Sequence, residues 1–171
     1  ALGRDIAPWV KKMLEDGQTS FYRIEESSQL YYNQLEQGYL EIPSQDSLIE
    51  LHVRKKNNLI WKKEVASLID LGDGIVNLEF HSKMNSVGGD TLQAIQQAIE
   101  LTEEKYRGLI IANQGANFSV GANLAMIFMM AIEQDYEELD FAVRAFQQTT
   151  QKIRYSNIPV VVAPHAMTLG G

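Results

Sequence analysis

From about residue 66 onward, apolar and polar positions change period in a regular order. Residues 75–80 alternate, with Val76, Leu78 and Phe80 on one face, which predicts a strand. Residues 89–104 place Leu92, Ile95, Ile99 and Thr102 on one helical face, so a helix is expected there. Residues 109–112 and 160–163 are short, continuous apolar runs of the kind found in strands covered on both faces. Between these runs Leu139, Ala142, Val143, Phe146, Thr150 and Ile153 recur at helical spacing and predict a long amphipathic helix. Strand, helix, strand, helix, strand implies parallel pairing through crossovers. Upstream the pattern is shorter-ranged. Residues 8–16 read as a helix, with Pro8 suited to its first turn and Gly17 to its stop. Residues 21–24, 30–32 and 39–42 read as short strands, with a turn at 25–28. Residues 43–47 read as a loop, and residues 48–53 as a further strand ahead of the basic cluster Arg54, Lys55 and Lys56. The change of character near residue 60 divides the chain into a small helix-plus-β connector, residues 1–60, and an α/β part, residues 61–171.

Composition narrows the class. The chain has 171 residues, enough for about one domain, and 45% of them are hydrophobic, as in a globular protein. A formal charge of −7 argues against a nucleic-acid partner, although a few local cations or a helix N-terminus suffice for a phosphate. With no cysteine, a disulfide scaffold and thiolate metal sites are excluded, and a reducing cytoplasm suits the chain. No signal-peptide pattern opens the sequence. The longest strongly apolar run, residues 124–132, is far short of the roughly 20 residues of a membrane span.

Candidate chemistry concentrates where two apolar strands run into glycines. Residues 113–124, NQGANFSVGANL, leave the strand LIIA and enter an apolar helix beginning near Asn123. Gly115 and Gly121 allow backbone geometries that a side chain would obstruct. The first amides of the following helix have no intrahelical partner and sit at the positive end of its dipole. Backbone N–H groups there could hold a developing oxyanion. Residues 159–171, PVVVAPHAMTLGG, are a second buried strand ending in a glycine pair. Two such exits on one sheet could converge on a single carbonyl oxygen, or each could be a plain tight turn.

Taken together, these stretches resemble the crotonase (enoyl-CoA hydratase/isomerase) superfamily. GANFSVGANLAMI is similar to the family motif F-S/C-x-G-A-D/N-L, and VVVAPHAMTLGG to its strand followed by A-x-x-G-x-x-x-G-G-G, broken off before the last glycine. DLGDGIVNLEFHSKMNS resembles the family's first strand and its N-A-L-N turn, with Met84 and Asn85 at the turn. The resemblance covers about residues 67–171. Upstream, WVKKMLEDGQTSFYR resembles the closing helix and G-x-x-x-F-Y segment of 3-hydroxyacyl-CoA dehydrogenase C-terminal domains. The order is similar to that of bacterial bifunctional β-oxidation enzymes that place the hydratase last. The resemblance therefore implies an internal piece of such an enzyme: the end of the dehydrogenase C-terminal domain and a connector (1–60), then the N-terminal portion of a crotonase-like domain (61–171). The implied fold is α/β, a partial crotonase-type (ClpP/crotonase-like) repeated ββα sheet with helices.

The resemblance also implies roles. It places one oxyanion-hole N–H on Ala122, just after Gly121, and the other on Gly171, next to Gly170. Phe118, Asn123 and Leu124 would line the acyl-CoA pocket, and Lys83 and Met84 would lie in the turn that approaches CoA. Hydration of an enoyl thioester puts negative charge on the thioester oxygen, and losing one preorganised donor to it costs about 3–4 kcal/mol. The two glutamates that act as general base and acid in hydratases follow the complete glycine triplet, so this chain by itself is expected to be inactive. Ala116, where many relatives carry a basic residue, and Pro164-His165 depart from the family pattern. The substrate implied is acyl-CoA; no cofactor or metal is expected in these residues, and NAD is expected only in the upstream dehydrogenase part. Contact with the rest of the parent enzyme, or self-association, is expected through uncovered apolar surface. Enoyl-CoA isomerisation, thioester hydrolysis and a non-catalytic acyl-CoA-binding or docking role remain alternatives. His165 and His81 are read as structural or, less readily, as catalytic or phosphate-contacting; His52 as surface; Trp9 and Trp61 as packing anchors. Met126, Met129 and Met130 fit core packing or an acyl tunnel. The acidic run at 133–140 is expected to solvate a helix start.

Overall fold

The computed structural model describes residues 5–25, 28–42 and 51–170. It divides the chain into two compact units, Ala1–Val53 and Arg54–Gly171.

In the first unit, helix α1 (Pro8–Glu15) is followed by an antiparallel meander of β1 (Tyr22–Glu25), β2 (Ser28–Asn33) and β3 (Gly38–Glu41). Alternation along β2 buries Leu30 and Tyr32, while Tyr31 and Asn33 are only partly covered. Trp9 of α1 stacks on Tyr32 with ring centroids 6.3 Å apart and meets Phe21 at 5.5 Å, and Tyr39 meets Tyr32 edge-on. Trp9 therefore anchors helix to sheet, as its position in the sequence suggests. The expected loop at 43–47, residues 48–50 and part of the 25–28 turn lie outside the described residues.

One element departs from expectation. Residues 51–53 are not strand but open helix α2 (Leu51–Asn57). The L-x-V spacing is compatible with either period over so short a stretch. The helix places Arg54, Lys55 and Lys56 in its last turn, where cations complement the dipole. Lys55 also forms an ion pair with Glu79 at 2.5 Å, so the basic cluster is not simply a solvated face.

The second unit is built on a five-stranded sheet of order β10-β8-β6-β5-β4. Its strands are β4 (Leu59–Lys62), β5 (Ala66–Gly72), β6 (Ile75–Phe80), β8 (Gly108–Ile111) and β10 (Val160–Val162). β4, β5 and β6 pair antiparallel; β6, β8 and β10 pair parallel, with Leu109 opposite both Val76 and Val160. Helix α3 (Gly89–Lys105) supplies the crossover from β6 to β8, starting at Gly88 with Asp90 in its first turn and Lys105 in its last. Its buried Ala94, Ile95, Ala98 and Ile99 meet Val76, Leu78, Phe80, Leu109, Ile111 and Phe118 in the hydrophobic core. Helices α4 (Leu124–Ile132) and α5 (Tyr136–Arg154) lead from β8 towards β10. A two-stranded parallel ladder, β7 (Ser86–Val87) with β9 (Gly121–Ala122), completes the unit.

One expectation about covering needs correction. β10 is the last strand of the sheet, and Val161 and Val162 are exposed rather than covered on both faces. The helix expected from the apolar stripe of α5 is present; Ile153 of that stripe packs against the core, Val143 and Thr150 are exposed, and the fully buried residue of this helix is Thr149. Thr149 accepts a 2.7 Å bond from Gln96 of α3 and donates to the Ala145 carbonyl.

Candidate functional site

The site grows from a tight turn. A single 3₁₀ turn, Lys83–Asn85, follows β6, and Met84 and Asn85 both take left-handed backbone angles (φ 56° and 52°). Asparagine tolerates that region because its short polar side chain bonds locally. Asn85 is buried, and its Nδ2 donates to the Asn117 carbonyl at 3.0 Å. Lys83 and Met84 are exposed, and the Met84 carbonyl accepts the Val120 amide at 3.4 Å.

The loop after β8 is shaped from within by short polar side chains. Asn113 Oδ1 accepts the Gly115 amide at 2.9 Å while its Nδ2 donates to the Phe118 carbonyl at 3.0 Å. Ser119 Oγ donates to the Asn85 carbonyl at 2.6 Å and accepts the Gly121 amide at 2.9 Å. Gly121 has φ 78°, a left-handed conformation that favours glycine. Asn123 then caps α4, its Oδ1 accepting the amides of Ala125 and Met126 at 3.1 and 3.3 Å. Those two helix amides are thus satisfied by the cap side chain.

The second glycine exit runs beside the first. Residues 165–170 accept the amides of Phe118, Ser119 and Ala122 on the carbonyls of His165, Met167 and Gly170, and the Leu169 amide donates to Ser119. His165 lies against Phe118 and Nε2 is 2.9 Å from the Gly115 carbonyl, a structural placement. His81 Nε2 sits 2.9 Å from Ser67 Oγ, so that imidazole too is engaged within the fold. Ala122 donates to the Gly170 carbonyl across 3.3 Å. The same oxygen lies 2.0 Å from where a Cβ on Gly121 would stand, an approach only glycine permits. Gly171 lies outside the described residues.

Ala122 and Asn123 border an open apolar cleft of about 440 Å³ between the start of α3, α4 and α5. Leu92, Met126, Ile127, Met130, Leu139 and Phe146 form its walls. The stripe predicted on α5 thus lines the cleft, and two of the three clustered methionines do too. Phe118 packs in the hydrophobic core instead, against Phe80 at 6.2 Å, and Leu124 is exposed on α4. Among the described lining residues Glu138 is the single ionisable one, and its amide is bonded to the α5 cap Asp135. Sequence reading passed over Asn85, Asn113, Asn117 and Ser119 as functional residues. Their density in NQGANFS was the available signal, because Asn and Ser compete locally for backbone groups. Among the described residues no cluster of His, Cys, Asp or Glu could hold a metal, and no helix is long and apolar enough to cross a membrane.

No protein-family model matches the chain. Its architecture is nonetheless that of the enoyl-CoA hydratases: an α/β unit carrying part of the crotonase fold. The solved enoyl-CoA hydratase of Polaromonas sp. JS666 superposes with a TM-score of 0.54 at 21% identity, over 59% of this chain and 40% of that one. In sequence, the chain is 47% identical over 171 residues to a "Probable 3-hydroxyacyl-CoA dehydrogenase" of Bacillus subtilis (strain 168), covering 99% of the chain and 21% of that relative. It is 26% identical over 117 residues to a "Putative fatty acid oxidation complex trifunctional enzyme" of Rickettsia prowazekii (strain Madrid E), covering 68% of the chain and 16% of that relative. The chain therefore spans about a fifth of the length of these two relatives.

Proposed function

We propose that the chain carries part of the enoyl-CoA hydratase site of a multifunctional fatty-acid β-oxidation enzyme. Ala122 donates one hydrogen bond to the thioester oxygen of an acyl-CoA, and Gly171 donates the second. Residues 1–60 belong on this reading to the end of the dehydrogenase part and a connector, and NAD is a cofactor of that part alone. The acyl chain enters the cleft beside Ala122, and Asn123 borders it.

The observation that carries this reading is the Ala122–Gly170 contact. A carbonyl oxygen already sits on the Ala122 amide, in a space left open by the missing side chain of Gly121, at the edge of an apolar cleft. A thioester carbonyl is chemically alike and would replace that contact one for one. The exchange conserves the number of hydrogen bonds, so its free-energy cost is set mainly by solvation of the released Gly170 carbonyl. Gly170 is exposed, and water can take up that carbonyl.

Calorimetric titration of the chain with butyryl-CoA, set beside free CoA, tests the proposal. A heat of binding that requires the acyl group is expected, and it should weaken when Met130→Trp fills the cleft. Equal affinity for CoA and butyryl-CoA, or none for either, would overturn the assignment.

A further inference from the structure

We infer that Ser119 is a positioning residue for the Ala122 amide. This rests on the acyl-thioester reading above. Ser119 is 3% exposed, and its hydroxyl donates one hydrogen bond and accepts another. The hydroxyl has one hydrogen, and the Asn85 carbonyl 2.6 Å away can only accept it. An oxygen lone pair then faces the Gly121 amide at 2.9 Å. The direction of both bonds is therefore dictated by their backbone partners.

Ser119 is also where three segments meet. Its side chain reaches back to the left-handed turn at Met84–Asn85. Its main chain is clasped by the Met167 carbonyl and the Leu169 amide of the second glycine exit. Through Gly121 it reaches the residue immediately before Ala122. Fixing the Gly121 N–H leaves only the two torsions of Gly121 between Ser119 and the Ala122 amide plane. The short ladder that sets Ser86 beside Gly121 and Val87 beside Ala122 restrains those as well. Glycine has no intrinsic preference that would hold φ 78° unaided. The hydroxyl fixes the peptide plane ahead of Gly121, and the ladder restrains the two torsions that follow.

The test reads the direction of the donor rather than stability alone. Butyryl-CoA carrying ¹³C at the thioester carbonyl is bound to the full chain, and the carbonyl stretch is recorded by isotope-edited infrared spectroscopy. A carbonyl that accepts a well-aimed hydrogen bond vibrates at lower frequency than in water. In Ser119→Ala the bound carbonyl is expected to lose most of that red shift while calorimetric affinity changes little, and Ser119→Thr, which keeps the hydroxyl, is expected to restore it. Ser119→Cys, near in volume and a weak donor, is read in the same way should the alanine variant fail to fold, with an intermediate frequency expected. A folded Ser119→Ala or Ser119→Cys with the wild-type frequency would overturn the positioning role and leave the acyl-CoA reading standing. A wild-type chain that binds no butyryl-CoA, or binds it without a red shift, would overturn the acyl-thioester reading and this inference with it.

Discussion

The Ala122 amide and the Gly170 carbonyl meet only because Gly121 carries no side chain. An added Cβ would stand 2.0 Å from that oxygen, on a residue whose φ is already 78°. Two independent costs follow from one substitution. The left-handed conformation alone costs a non-glycine residue about 1–2 kcal/mol, and the second glycine exit must also be pushed away from the first. Gly121→Ala is therefore expected to lower the unfolding free energy by at least about 1 kcal/mol in urea titration. Gly89 offers the contrast. It opens α3, and nothing lies within 4 Å of a Cβ added there. Gly89→Ala is expected to be neutral or slightly stabilising in the same experiment, through lower entropy of the unfolded chain. Equal losses for both would mean that the close approach at Gly121 carries no energetic weight.

At the scale of elements, α3 and α5 are tied together by polar side chains. Thr149 takes the Gln96 amide at 2.7 Å in a buried position, and Lys152 pairs with Glu100 at 2.5 Å nearer solvent. The buried bond matters more, since exposed pairs contribute at most about 1 kcal/mol. Thr149→Val keeps the shape and leaves the Gln96 amide without its partner, so a loss of about 1–3 kcal/mol is expected in thermal or urea unfolding. Thr150, one residue on, is exposed and bonds only within its own helix turn. Thr150→Val should stay within about 0.5 kcal/mol of wild type. A Thr149 effect no larger than that of Thr150 would remove the polar tie from the account of how α5 is held. Because α5 forms one wall of the cleft, that tie also bears on the width of the site.

For the second unit as a whole, the balance of covered and uncovered surface is uneven. α4 has no buried residue although every side chain in it is apolar: Phe128 is 64% exposed, Leu124 75% and Ile132 59%. Phe141 and Val143 of α5 and the edge strand β10 extend this exposure. Exposed apolar surface of this extent favours association. Concentration-dependent self-association of the chain is expected in analytical ultracentrifugation, and Phe128→Lys should reduce it without lowering the thermal midpoint, since that ring contributes little to the core. A wild-type chain that stays monomeric across the micromolar range would contradict this.

Much of this was legible from residue order. The alternation of Val76, Leu78 and Phe80, the helical face of Leu92, Ile95 and Ile99, and the strand-then-glycine exits each express a local period or a local steric need, and such signals are complete within a few residues. The resemblance carried by GANFSVGANL and VVVAPHAMTLGG likewise reached the correct fold. Tertiary structure decided what no local pattern encodes. Leu51 and Val53 became helix because so short an apolar pair fits either period. Most of the stripe on α5 lines a cleft while Ile153 packs on the core, because helix periodicity defines a face but not what the face meets. Ser119 and Asn85 came together across 34 residues, and the Gly170 carbonyl reached Ala122 across 48 (170 − 122), because contacts between distant segments depend on how the chain crosses itself, which no local pattern encodes.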